Sequence, residues 1–302
     1  AHANQSDSDL EILLRQAMIE RLGISPAELT SLEVVRRGYD ARQRGRIQMV
    51  YTVDVDTTIE ADILTRLAGD PQVRPAPDTR YVPVARAPAG WTTRAGARRP
   101  VVIGFGPCGL FAALLLAQMG FCPIVLERGR DVRRRTRDTW RLWREGILDE
   151  TSNVQFGEGG AGTFSDGKLY SQIKDPGHRG RKVMTEFVEA GAPAEILTVS
   201  KPHIGTFKLV KVIENLRHRI LELGGEIRFE SQVTDLLIEG GCVQGVVLAS
   251  GETLPTSHVV LAVGHSARDT FAMLVERGVA VEPKAFSIGF RIEHPQALID
   301  QC

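Results

Sequence analysis

The chain has 302 residues, room for roughly two domains at about 150 residues each. Hydrophobic residues make up 43% and charged residues 25%, which excludes wholesale disorder; 37 basic against 37 acidic residues give zero formal charge, which argues against a dedicated binder of nucleic acid or anionic membrane. Glycine, at 30 residues, exceeds its usual share of ~7%, so its placement matters.

In chain order, residues 10–22 carry apolar side chains at helical spacing, with Gly23 as a stop signal. Ser25 before Pro-Ala-Glu-Leu predicts a second, short helix with proline in its first turn. Residues 31–38 and 46–55 predict two strands, and 58–67 a further helix. Together they give a small α+β domain over 1–80. The stretch 71–99 is rich in Pro, Ala, Gly and Arg, and 81–99 is expected to be a surface linker. Residues 100–103 then predict a buried strand, followed by a glycine turn, an apolar helix, and a second buried strand at 123–126. An arginine-heavy helix over 131–145 precedes a second glycine-rich loop, GEGGAGTFSDG, at 157–167. Helices at 180–190 and 206–223 lead to a strand at 226–229. Runs at 232–238, 242–249 and 258–263 read as an antiparallel meander returning to the sheet. The expected division is a cofactor-binding domain from 100–170 and 205–269, with 171–204 and 270–302 as part of a substrate domain.

Four cysteines, Cys108, Cys122, Cys242 and Cys302, are scattered without CxxC or Cys/His spacing, so neither a disulfide framework nor a metal site is expected. Residues 1–9 do not read as a basic-then-apolar leader, and the apolar helix at 110–119 is too short to span a bilayer. A cytoplasmic location is the expectation.

Gly104-Phe-Gly106-Pro107-Cys108-Gly109 places G-x-G-x-x-G between strand and helix. Gly104 permits the tight turn, Gly106 lets backbone approach a pyrophosphate, and Gly109 lets the helix pack closely on the sheet. Free N–H groups at the helix start favour phosphate. Eighteen residues after Gly109, Glu127 closes the second strand, placed to accept from a ribose diol and to repel a 2′-phosphate. A glycine turn serving packing alone would not need that acid.

Two features favour FAD over NAD. The chain enters an arginine helix and a second glycine loop where a simple NAD domain would continue with another strand. In addition, Ala262 and Gly264 end a late apolar strand where small residues allow close ligand approach. This order resembles the glutathione-reductase-like FAD-binding fold, whose signatures are GxGxxG, Glu-Arg-Gly and a late A-x-G. More specifically, FGEGGAGTFSDGKL (156–169), KPHIGT (201–206), LAVGHSARDT (261–270), IGFRIEHPQ (288–296) and RRGYDAR (36–42) resemble a bacterial family of uncharacterised FAD-dependent dehydrogenases. The resemblance runs from about residue 10 to the end and implies FAD with no specific reaction. It also implies a longer chain, because 38 residues follow Gly264 without the family's closing glycine-acidic segment. A truncated product with weak FAD binding is therefore expected.

The candidate cofactor contacts are Gly104, Gly106, Pro107, Cys108, Gly109, Glu127, Arg128, Arg135, Gly159, Gly160, Gly162, Thr163, Val233, Ala262 and Gly264. The second loop could offer backbone N–H groups to flavin or pyrophosphate. Within it Ser165, Asp166 and Lys168 could face the flavin, where a lysine would stabilise the reduced anion; a solvated lysine is the competing reading. Arg133, Arg134, Arg135, Arg137, Arg141 and Arg144 read as a solvated face paired with Asp131, Asp138 and Glu145; the competing reading is that one of them, Arg135, reaches a cofactor phosphate. His265, beside the A-x-G strand end, and His203 are weak acid/base candidates against a structural role. Arg291, Glu293 and His294 could line a substrate cavity. Cys108 reads as a small packing residue. Arg36, Arg37, Arg42, Arg44 and Arg46 on the N-terminal hairpin read as a solvated turn, or as a contact for RNA or an acidic partner.

The fold expected is therefore α/β: a Rossmann-like FAD-binding domain, a small N-terminal α+β domain and an incomplete substrate domain. The expected function is FAD-dependent oxidation or reduction of an unidentified small molecule by hydride transfer. NAD(P)H is a candidate electron donor, binding without its own Rossmann domain. Nucleic acid and membrane are not expected as partners. A flavin-dependent RNA-modification or interaction factor, using the N-terminal domain as adaptor, and an inactive fragment are the alternatives.

Overall fold

A computed structural model describes residues 7–43, 45–93, 96–171, 173–285, 288–290 and 292–301; Arg44, Arg291 and Cys302, named above, lie outside the described residues. The first unit is α1 (Asp7–Leu22), β1 (Leu29–Asp40), β2 (Gln48–Thr57) and α2 (Glu60–Arg66), with β1 and β2 antiparallel. Leu22, Ile24, Leu29 and Ile63 form its small buried cluster. The helix expected at Ser25 is instead a single turn: Glu28 N–H donates to the Ser25 carbonyl at 3.1 Å, and the Glu28 carboxylate accepts from Ser25 N–H at 2.6 Å. Leu29, 2% exposed, is drawn into the cluster as the first strand residue, and that tertiary pull ends the turn. β1 is tied to the rest of the molecule by backbone bonds, Arg37 N–H to Thr198 O at 2.7 Å and Ser200 N–H to Arg37 O at 2.9 Å.

The second unit is a mixed α/β arrangement. Its elements are β3 (Val101–Ile103), α3 (Pro107–Gln118), β4 (Ile124–Leu126), α4 (Val132–Glu145), α5 (Arg179–Glu189) and α6 (Thr206–Glu222), then β5 (Glu226–Arg228), β6 (Val233–Glu239), β7 (Cys242–Leu248), β8 (Thr253–Pro255), β9 (Val259–Leu261), α7 (Arg268–Glu276) and α8 (Gln296–Ile299). Four strands form a parallel sheet in the order β5-β4-β3-β9, with Val102 opposite Val125 and Val260. Successive strand side chains point to opposite faces. Val102 and Val125 accordingly join one buried cluster with Leu110, Leu114, Val212 and Leu216 of α3 and α6. Val101, Ile103, Ile124 and Leu126 join the other, with Val246 and Leu254 of the antiparallel β6-β7-β8 sheet and Met273 and Leu274 of α7. Three layers result. Both faces of the central strands are covered, so β3 and β4 read as uninterrupted apolar runs.

The expected meander is corrected in one place. Its third strand is β8, and the run at 258–263 contributes β9 to the parallel sheet beside β3. Buried Thr256 makes the crossing, its hydroxyl donating to the Arg99 carbonyl at 2.8 Å. The segments assigned to a substrate domain share these same cores. Ala190, Ala192 and Ile196 lie in the α3–α6 cluster, and α7 lies in the other.

Among the described residues no helix is long and apolar enough to cross a membrane, and no group of three or more His, Cys, Asp or Glu could hold a metal ion.

Candidate functional site

β3 lies between β4, which follows it through α3, and β9, which arrives last. The crevice at the carboxyl ends of β3 and β9 is therefore the switch point at which open α/β sheets hold ligands. A cavity of about 520 Å³ opens there, bounded by both glycine turns, the ends of β4 and β9, and the start of α7.

The three glycines of the first turn are required for different reasons. Gly104 has φ +94°, and a Cβ on it would sit 2.6 Å from the Ala262 carbonyl oxygen. A Cβ on Gly109 would sit 1.9 Å from the Gly104 carbonyl oxygen, so only glycine lets α3 start this close to β3. Gly106 is unlike either. Its φ is −74°, and a Cβ would meet nothing nearer than Gly160 Cα at 3.5 Å, an ordinary contact. No packing among the described residues demands glycine there, yet it lines the cavity where α3 begins. Pro107 occupies the first helical position, and first-turn N–H groups such as those of Cys108 and Gly109 have no intrahelical acceptor.

Facing this turn, Gly160 has φ +62°, and a Cβ there would press on Gly106 Cα at 2.9 Å and Pro107 Cδ at 3.0 Å. Glu127 joins the two turns. Its Oε2 accepts from Phe105 N–H at 2.7 Å, and its Oε1 from Gly129 N–H at 2.8 Å and Gly157 N–H at 3.1 Å. A carboxylate offers about four lone-pair directions. Three are taken by backbone, so Glu127, which also lines the cavity, has acceptor capacity left for about one ligand hydroxyl.

Of the residues proposed from sequence, Gly104, Gly106, Pro107, Cys108, Glu127 and Arg128 line this cavity. Gly160, Gly162, Val233, Ala262, Gly264 and the catalytic candidate His265 line it too. Gly109, Gly159, Thr163 and Arg135 stand behind its wall. The phosphate role expected of Arg135 is corrected: its guanidinium is fully buried and donates to the carbonyls of Asn153, Val154 and Glu158 and to the Thr163 hydroxyl. Burial presses its pKa down to about 10, with the Glu127 and Glu158 carboxyls opposing, so it stays charged at neutral pH. Arg128 is also engaged, donating to both Asp269 oxygens at 3.1 and 3.0 Å while it stacks on Phe156 at 4.6 Å.

Lys168 and His203 lie outside the lining. They face each other across a single antiparallel bridge, and Lys168 is exposed beside Asp166 at 3.8 Å. Ser165 donates to the Gly162 carbonyl at 2.7 Å, and Glu293 and His294 are exposed. The rest of the arginine helix is largely engaged at its base: Arg133 with Glu214, and Arg134 with Asp131 and Glu230. Arg144 stacks on Trp140, Arg141 lies 3.8 Å from Glu145, and Arg137 is exposed.

Sequence reasoning passed over Glu158. Its side chain is fully buried; Oε2 accepts from Val132 N–H at 2.7 Å and Arg217 at 2.8 Å, and Oε1 has no hydrogen-bond partner among the described residues. Burial lifts its pKa to about 7, against the pull of Val132 N–H and Arg217 and with a further push from Asp131 and Glu214. One signal was available for its partner Arg135. Val132, Arg135 and Thr139 fall at i, i+3 and i+7, the spacing of a buried helix face.

A family model described as a domain of unknown function (DUF8436) matches residues 4–56. An uncharacterized protein of Clostridium beijerinckii is 42% identical over 294 residues, covering 97% of this chain and 53% of that protein. The chain thus spans about half the length of the curated relative it matches. Among solved structures, THI4 of Thermovibrio ammonificans is similar at 16% identity and TM-score 0.42, covering 61% of this chain and 64% of that one. L-proline dehydrogenase from P. horikoshii is similar at 16% identity and TM-score 0.34, covering 61% and 57%. Likenesses at these scores carry no functional weight.

Proposed function

We propose that the chain is part of an FAD-dependent oxidoreductase and holds the ADP portion of FAD between its two glycine turns, in a glutathione-reductase-like arrangement. The observation that carries this reading is Gly106. It is a glycine that internal packing does not require, facing a cavity at the start of α3, where unpaired N–H groups favour phosphate. The residues fit the cofactor. The Cys108 N–H group would meet the diphosphate, the free acceptor capacity of Glu127 would take one ribose hydroxyl, and Val233, Phe271 and Leu274 supply apolar wall for a flat base.

When bound, FAD supplies the ring that accepts or donates hydride. The chain's own part is to orient and to exclude water. Glu127 fixes the spacing of the two turns, and the Arg128–Asp269 pair pins the β4 end to α7. A carboxylate at the ribose position disfavours a 2′-phosphate, so a cofactor without one is preferred. His265, which lines the cavity after β9, is the acid/base candidate of this reading. A small organic substrate, with NAD(P)H as a candidate electron donor, completes the proposal.

The test is the visible spectrum and fluorescence of the purified chain titrated with FAD, with NAD and NADP run in parallel. Saturable FAD binding, weakened about tenfold or more by Gly106→Ala, is expected. Equal binding by the parent and Gly106→Ala, or preference for NADP, would overturn the reading.

A further inference from the structure

We propose that Glu158 is a positioning residue for this cofactor site: its buried side chain seats the second glycine turn against the first, so that a group outside the cavity sets the affinity for an adenine dinucleotide. The proposal rests on the FAD reading above.

The geometry is that of a wedge between two seats. On one side of Glu158, Gly157 N–H donates to Glu127; on the other, Gly159 N–H donates to the Phe105 carbonyl at 2.8 Å. Both acceptors belong to the first turn or to the acid that clamps it. The Glu158 carbonyl accepts from Arg135 at 2.6 Å, and its side chain reaches Val132 in the first turn of α4 and Arg217 on α6. Any outward movement of this side chain therefore pulls on Gly157 and Gly159 together.

Ionisation would favour that movement. Oε1 has no donor among the described residues, so ionisation would leave that side of the carboxylate desolvated and without a hydrogen bond while Arg217 and Val132 N–H serve Oε2, whereas the neutral acid carries a smaller cost. The surrounding charges nearly offset one another. From α4 come Asp131, Arg133 and Arg135, from α6 Glu214 and Arg217, and from the end of β4 Glu127. Arg133 is committed to Glu214, at 2.6 and 2.9 Å, and Arg135 to backbone carbonyls. Among the described residues Arg217 alone forms an ion pair with the Glu158 carboxyl, while Asp131 and Glu214 oppose its charge.

The sign follows from linkage. In the seated turn the carboxyl titrates at about 7, and in a solvated, unseated turn it would return to the ordinary glutamate range. The seated form is favoured in acid, weakens as pH rises from that range to about 7, and changes no further above it. FAD affinity should fall over the same window.

FAD titration of the full chain by flavin fluorescence at pH about 5.5 and about 8 tests this, with Glu158→Gln and Glu158→Ala compared to the parent. All carry His265→Asn, which removes the histidine in the cavity. The parent should lose affinity by about tenfold or more at the higher pH. Glu158→Gln should hold the low-pH affinity at both, and Glu158→Ala should be weak at both. A Gln variant with the parent's pH profile, or one as weak as Ala, overturns the proposal. Two ligand-free readouts accompany it. One is the apo melting temperature over the same pH range; the other is a carbon-13 titration of labelled glutamates in the parent, where one carboxyl should titrate near 7. If no FAD binds at either pH the cofactor reading falls, and the seating of the turn is then judged on these two alone. A glutamate set titrating wholly in the ordinary range overturns it.

Discussion

The two glycine turns meet at one cavity and are built by opposite means. The first is made of close backbone contacts on an apolar scaffold: Gly104 against Ala262, Gly109 against Gly104, and Val102 and Leu114 beneath them. The second stands on buried ionisable groups, with Arg135 and Glu158 both fully inside and Glu127 reaching across to it. Neither turn tolerates an added methyl, since a Cβ on Gly159 would collide with Thr163 Oγ1 and one on Gly160 would sit 2.9 Å from Gly106 Cα. Only the second, which stands on buried ionisable groups, should also respond to pH.

The largest break in this comparison is Arg135→Met. It leaves the carbonyls of Asn153 and Val154 without their Arg135 donors, and the Glu158 carbonyl with the Thr163 hydroxyl alone at 3.3 Å. At about 1–3 kcal/mol for each buried acceptor left unsatisfied, the loss is about 2–6 kcal/mol. Denaturant unfolding of the variant should show a loss of that order, together with loss of FAD binding. A change below ~1 kcal/mol, the size of an ordinary surface substitution, would mean that the second turn does not depend on its buried charge.

Next come two substitutions within the first turn. Gly104→Ala places a Cβ against a backbone oxygen at positive φ, and should destabilise by about 2–4 kcal/mol. Gly106→Ala should leave unfolding within ~0.5 kcal/mol, because nothing in the protein crowds it, while FAD affinity falls. Comparing melting curve and titration for each variant separates architecture from ligand contact. Equal destabilisation by both would remove the reason for assigning Gly106 to a ligand.

This contrast also governs what the sequence revealed. The first turn is a local pattern in which strand, glycines, helix and terminal acid lie within 27 consecutive residues, 101–127, so spacing alone disclosed it. Glu127 was placed correctly at the strand end, but its three backbone partners were not foreseen, because Gly157 is 30 residues away in the chain. Arg135 was hidden inside a run of arginines that reads as a solvated face. Only the helical period, which turns Val132, Arg135, Asp138 and Thr139 inward, distinguishes it. Likewise β9 carries the same apolar run whether it closes a meander or enters a parallel sheet. The choice is made by pairing with β3, more than 150 residues earlier.

A smaller effect is expected from pH acting on the apo fold through Glu158. Its carboxyl is raised to about 7 in the folded chain, so the folded state holds a proton that the unfolded state has already released. Stability should therefore fall between the ordinary glutamate range and about pH 7, by at most about 3 kcal/mol, and be flat above. Glu158→Gln should remove the slope. A parent whose stability rises across that window would show that Arg217 keeps the group ionised.

The smallest effect is expected at an ion pair that looks much stronger. On the N-terminal hairpin, Arg42 makes two side-chain hydrogen bonds to Asp40, at 2.9 and 2.6 Å, and holds its carboxyl down at about 2. A lowered carboxylate pKa would add stability above the ordinary aspartate range and lose it as pH falls toward 2. The pair is exposed, however, and its partners are two residues apart. The unfolded chain can form the same contact, and a shift present in both states contributes nothing to the difference between them. Arg42→Ala should thus leave both the melting temperature at neutral pH and the acid limb of the unfolding profile where they are in the parent. A measurable loss on either would mean that the folded hairpin orients this pair in a way the unfolded chain cannot, and that proximity in sequence is a poor guide to which charges the fold depends on.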